Sequence, residues 1–102
     1  MTTQVDEAFK KIQSSDRVEG FIILDIDGVP IKSTIGNSAT VQYSSLVQMI
    51  IGISKHMFKK FDASDVLMSM RLHTKKNEII IILDKLYTMI VIQSPSGVKP
   101  PM

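Results

Sequence analysis

Cysteine is absent from the 102-residue sequence, which removes disulfide bonds, thiol nucleophiles and cysteine-ligated zinc from its chemistry. The absence fits a reducing compartment. Histidine occurs only as His56 and His73, and neither has a carboxylate or a second histidine at ligand spacing, so no metal is expected. The serines form no Gly-x-Ser-x-Gly elbow and no local arrangement with histidine and aspartate that would make one of them a nucleophile. A glycine-rich phosphate loop is missing too, since Gly20, Gly28 and Gly36 fall at strand or turn positions. Net charge is small: twelve Lys and Arg against ten Asp and Glu leave +2. The nearest thing to a basic patch, Lys59-Lys60 with Lys75-Lys76, reads as a helix end and a turn in water rather than a nucleic-acid groove. The longest apolar run, residues 79–83, falls far short of the roughly 20 residues that cross a membrane. The opening Met1-Thr2-Thr3-Gln4-Val5-Asp6-Glu7 is too polar and acidic for a signal peptide. These absences predict a soluble, cytosolic chain with no cofactor, no nucleic acid and no membrane insertion.

The length suits one domain, able to bury roughly 60 to 70% of its unfolded surface without a metal or disulfide. Residues 1–95 are expected to form that domain. Residues 96–102, with two of the chain's four prolines and little to bury, are expected to form a flexible C-terminal tail.

The segment Phe21-Ile22-Ile23-Leu24-Asp25-Ile26-Asp27-Gly28-Val29 has two readings. An aspartate-based phosphatase places its nucleophile after such an apolar run, but it needs partner carboxylates for Mg²⁺ from a later strand end. None is in sight: Asp62 and Asp65 sit beside a helix end, and Asp84 stands alone in a turn. A β-hairpin needs only Asp27-Gly28 as a two-residue loop of type I′, with Ile26 and Val29 facing each other and strands over residues 18–35. The hairpin is the better reading.

Around it the periodicities alternate. Val5, Ala8, Phe9 and Ile12 make the stripe of a short amphipathic helix over residues 3–14, begun by Thr3 and Asp6. A second, long helix is expected over residues 39–61, with Gly36-Asn37-Ser38 supplying its cap. Tyr43, Leu46, Val47, Ile50, Ile53, Met57, Phe58 and Phe61 share one side of it, and Met49 and Ile51 widen the apolar arc to roughly half the circumference. Such a helix is either deeply buried or covers its own sheet with one flank and a second molecule with the other. Three strand-like runs follow, broken by Thr74-Lys75-Lys76-Asn77 and by Asp84-Lys85, and Ile79-Ile80-Ile81-Ile82 predicts cover on both sheet faces. The seven methionines read as core filler rather than as an adaptable binding surface.

This α-β-β-α-β-β-β order carries Asp27-Gly28-Val29-Pro30-Ile31-Lys32-Ser33-Thr34, Gln42-Tyr43-Ser44-Ser45-Leu46, Lys75-Lys76-Asn77-Glu78-Ile79, Asp84-Lys85 with Tyr87, and Ile90-Val91-Ile92-Gln93 before Pro95. In that order and spacing, over about residues 5–95, the chain resembles the roadblock/LC7 family of dynein light chains. The resemblance implies an α+β fold with a five-stranded antiparallel sheet and a long helix, a homodimer whose sheets join edge to edge, and a non-catalytic subunit that binds the dynein intermediate chain. It also implies a cytoplasmic, microtubule-associated and even axonemal setting. Roadblock-type domains serve as scaffolds or regulators of small GTPases as well, which supplies the alternative function. Gly52 departs from the pattern, interrupting the long helix where it would mark a close approach of two helices.

Pro30 lacks an N–H and marks an edge strand, and an uncovered edge invites two-fold pairing. Lys32, Ser33, Thr34 and Ile35 are therefore expected to pair with their symmetry mates, with Tyr43, Val47, Ile50 and Ser54 near the helix contact. Phe9 and Ile12 are candidates for bordering the partner site, although core packing explains them better.

Overall fold

The computed structural model describes residues 17–94. The elements run β1 (Val18–Leu24), β2 (Pro30–Ser33), α1 (Asn37–Phe61), β3 (Ser69–His73), β4 (Glu78–Leu83) and β5 (Thr88–Gln93). The strands form one antiparallel sheet in the order β2-β1-β5-β4-β3. The fold is α+β, a five-stranded antiparallel sheet with one long helix. The expected helix over residues 3–14, with Phe9 and Ile12, and the expected tail lie outside the described residues.

Hydrophobic pattern decides which strands are central. β1 and β5 carry near-continuous apolar runs and pair through Phe21 with Val91, Ile22 with Ile90 and Ile23 with Met89, so both of their faces are buried. On one face Ile22, Leu24, Ile81 and Ile90 meet Val47 and Ile51 of α1. On the other, Phe21, Ile23, Met89 and Val91 form a second buried cluster. Each large side chain so buried contributes roughly 1.5 to 3 kcal/mol. The isoleucine run is covered unevenly, with Ile81 fully buried and Ile82 still exposed.

The first turn differs from the expected type I′ pair. Asp25 N–H bonds to Val29 O, Gly28 N–H bonds to Asp25 O, and only Gly28 has positive φ, at 84°. This is a three-residue loop with a glycine bulge, so Ile26 lies in the loop, exposed, instead of facing Val29. The Asp25 carboxylate selects it: its Oδ1 accepts the N–H groups of Asp27 and Val29, both at 2.9 Å. That oxygen is a turn-former, as the hairpin reading requires.

The long helix starts two residues earlier than expected and has Gly36 at its N-cap, without a side-chain cap bond. Thr40 N–H makes the first helical bond to Gly36 O at 2.9 Å, and its hydroxyl donates to the same oxygen at 2.8 Å. β3 begins at Ser69 rather than at Val66, although Met68 O still accepts Leu83 N–H. Near the start of the sheet, Gly20 is obligatory: a Cβ there would sit 2.5 Å from Ile35 Cγ2.

Candidate interaction surfaces

A 25-residue helix seated on this sheet has far more apolar surface than it buries. Its buried residues are Thr40, Ser44, Val47 and Ile51. Two of these are polar and face inward because their hydroxyls bond to the helix's own carbonyls, Thr40 to Gly36 O and Ser44 to Thr40 O. Leu46, Met49 and Ile53 remain 58%, 61% and 65% exposed, and Met57 continues the same line. Their spacing of three, four and four residues makes a single stripe along the helix.

One flank of the helix, next to the stripe, touches β3. Ser54 donates a weak hydrogen bond to Met70 Sδ of β3 at 3.7 Å. At about 100° per residue, Ile50, Met57 and Leu46 follow Ser54 around the helix on that flank, while Gln48 lies on the opposite flank. Gln48 faces the β1–β2 loop, where its side chain lies 3.0 Å from the position of a Cβ on Gly28. Met49 and Ile53 lie furthest around the helix from the buried Val47 and Ile51, so the stripe faces away from the sheet and only its Leu46 and Met57 margin leans toward the β3 flank.

The two edges are unlike. On the β2 side, Ser33 Oγ accepts Ile35 N–H at 3.1 Å and contacts Thr40 Oγ1 at 2.7 Å, while Thr34 exchanges bonds with Phe21 through its N–H and its hydroxyl. Pro30 opens the strand without a donor. On the β3 side, Ser69–His73 pairs only with β4 among the described strands. Arg71 there is held by the Glu78 carboxylate, 3.6 Å from Oε2. Glu78 itself is almost wholly buried, accepting Gln93 Nε2–H at 2.6 Å and Arg17 Nη2–H at 3.3 Å on Oε1. The Gln93 hydrogen bond, with Arg71, Arg17 and His73 adding attraction, holds the Glu78 carboxyl below its ordinary value against the opposing effect of burial.

The expected contact residues fall in three settings. Lys32, Ser33, Thr34 and Ile35 lie at the β2 end, where the hydrogen-bonding groups of Ser33, Thr34 and Ile35 are largely engaged within the chain. Tyr43, Ile50 and Ser54 are half-buried along the β3 flank. Val47, only 3% exposed, belongs to the core of its own chain because it points straight at Ile22 and Ile90. A methyl group on Gly52 would meet nothing within 4 Å, so no close helix approach among the described residues explains it. Residues that the sequence reading did not select for the contact, Leu46, Met49, Ile53 and Met57, supply the exposed apolar surface. Their helical spacing was visible, but which flank would turn inward was not.

Among the described residues no group of three His, Asp or Glu could hold a metal, and no helix is long and apolar enough to cross a membrane.

With this geometry in place, comparison with known proteins is informative. The sequence model of the family described as Roadblock/LC7 domain matches residues 4–94. Among solved structures, a Roadblock/LC7 domain from Streptomyces avermitilis superposes with a TM-score of 0.74 at 8% identity, covering 83% of this chain and 72% of that one. A second Roadblock/LC7 domain structure from the same organism gives 0.64 at 10% identity, covering 93% and 83%. At such identities the likeness to these structures speaks for the fold alone.

Proposed function

The chain belongs to the Roadblock/LC7 domain family, and from that membership we propose that it is a non-catalytic, homodimeric light chain that binds the intermediate chain of a dynein motor. In this reading it works in the cytoplasm on the microtubule cytoskeleton, assisting motor assembly or cargo attachment. The observation that carries it is the exposed stripe Leu46, Met49, Ile53 and Met57 on the outer side of α1. A monomer would leave that stripe in water. A two-fold partner covers both copies with one contact.

We place the dimer contact on α1 and the β3 edge. Ile50 and Ser54 border the stripe, with Tyr43 on the same flank and Val47 supporting it from beneath. The alternative contact, through Lys32, Ser33, Thr34 and Ile35, would compete with the bond from Ile35 N–H to Ser33 Oγ. Pairing of β3 with its symmetry mate would satisfy the outward N–H and C=O groups of Ser69–His73 while the helices close over the junction.

The motor assignment is supported by the sequence motifs from Asp27-Gly28-Val29-Pro30 to Ile90-Val91-Ile92-Gln93. The absence of chemistry is supported by the turn-forming role of Asp25 Oδ1. Calorimetry with a dynein intermediate-chain fragment should give saturable binding to the dimer with a negative heat-capacity change. Folded dimer that ignores every intermediate-chain fragment but captures a GTP-loaded small GTPase would move the assignment to a scaffold or regulator of such GTPases.

A further inference from the structure

A groove of about 680 Å³ opens at the end of the sheet where three connections converge. The β1–β2 loop contributes Ile26, the segment before β3 contributes Val66, Leu67 and Met68, and the β4–β5 turn contributes Lys85 and Tyr87. Val66 and Met68 are 70% and 72% exposed, unusual for large apolar side chains grouped in one place. A smaller groove, between Phe58 and Ser69, adjoins the same segment. The volume matches a few side chains rather than a folded domain.

Three features define what fits. The lining is chiefly apolar. Lys55 and Lys85 stand on it, and neither ammonium has an ion-pair partner among the described residues, whereas Asp84, the one carboxylate on the lining, has Oδ1 occupied by Lys85 N–H at 2.6 Å. The backbone is also open. Met68 O extends the β3–β4 ladder by bonding to Leu83 N–H, but Leu67 next to it donates and accepts no hydrogen bond with a described residue. A chain end or loop laid along 66–68 would complete those groups as an added strand.

We propose that this groove docks an extended acidic segment of a partner protein, with alternate apolar side chains entering beside Ile26, Val66 and Met68 and carboxylates meeting Lys55 and Lys85. The extended form follows from the open backbone of Leu67, the acidic character from the two unpaired ammoniums. The lining residues all belong to one protomer, but 66–68 run on from the β3 edge, so the proposal rests on a dimer register that leaves Leu67 uncovered.

The test is selection of random peptides, about eight residues long, displayed on phage against the full chain, followed by fluorescence anisotropy of the enriched peptides. Enriched sequences should combine carboxylates with alternating apolar residues and bind less tightly as salt rises. Lys55→Glu with Lys85→Glu should weaken them about tenfold or more. Lys75→Glu, on the turn at the far end of the sheet, should change binding less than about twofold. Circular dichroism checks that the exposed substitutions leave the fold intact. No enrichment, enrichment of peptides without carboxylates, or indifference to the double charge reversal would overturn the proposal. So would a change of oligomeric state on Val66→Arg, which would make a second copy of the chain the occupant.

Discussion

The two edges of this sheet solve the same problem in different ways. β2 is four residues long, opens on Pro30 and closes on a serine that accepts the N–H of Ile35, so its outer side offers little to a second strand. β3 has five residues, no proline and, beside it, the helix flank that leads to the apolar stripe. The first edge is blunted by local chemistry. The second is left open next to surface that water should not touch, and the difference suggests that one edge ends the sheet while the other continues it.

The largest effect should come from charging the stripe. Met49→Glu with Ile53→Glu should weaken the proposed dimer by about 3 to 6 kcal/mol per protomer, since each buried apolar side chain is worth roughly 1.5 to 3. Sedimentation should then show monomer at concentrations where the wild type is dimeric. Both side chains are mostly exposed within the protomer, so circular dichroism should be unchanged. Ile31→Glu, on β2, is the counterpart and should shift neither association nor stability by more than about 0.5 kcal/mol. Dissociation by Ile31→Glu alone would reverse the roles of the edges.

Next in size is the internal fit of the β2 side. Gly20→Ala should destabilise the fold by about 1 to 3 kcal/mol, because the added methyl meets Ile35 where the chain leaves β2. Urea unfolding at a protein concentration held constant measures it. An unchanged midpoint would mean that the β2 margin yields easily and is less fixed than its hydrogen bonds imply.

At the β3 end, Glu78 makes a pH-dependent contribution. Its folded carboxyl lies below the ordinary 4.5, so its stabilising effect is complete above that value and disappears as pH falls through the lower folded value. Unfolding midpoints of wild type and Glu78→Gln should therefore converge as pH falls below the ordinary 4.5, with the wild type ahead at neutral pH. Constant separation across that fall would show that the carboxylate is not stabilised by Gln93 and the arginines.

The smallest effect expected is at Gly52, which lies on the helix away from the stripe and meets open space. Gly52→Ala should stabilise the protein by about 0.5 to 1 kcal/mol without altering association. A loss of dimer on this substitution would place a partner helix against the wrong flank.

Much of the architecture was legible in the sequence because local and long-range patterns agreed. β4 was marked at both ends by turn residues, and the alternation in β3 placed Met70 and Leu72 on the face toward α1. The turn after β1 was located but mistyped, since the deciding group was the side-chain oxygen of Asp25, which a reading of Asp27-Gly28 as a two-residue loop leaves out. The orientation of α1 was harder. An apolar arc of half the circumference has no unique inward side, and the inward side here includes Thr40 and Ser44, whose hydroxyls satisfy themselves on the helix backbone. Hydrophobicity therefore left open which part of the arc is core and which is surface. Strand order, which puts β3 at an edge and β5 in the middle, depends on pairings between residues far apart in the chain and carries no local signal.

Because the chain has no cysteine, single cysteines report the edge directly. Ser69→Cys, Arg71→Cys and His73→Cys sample β3, and Lys32→Cys and Ser33→Cys sample β2. Mild oxidation links two chains only where Cα atoms approach within about 7 Å, as they do near a two-fold axis between paired strands. Pairing through β3 predicts a rapid covalent dimer from at least one β3 variant and none from either β2 variant; rapid cross-linking at Lys32 or Ser33, with β3 silent, would contradict it.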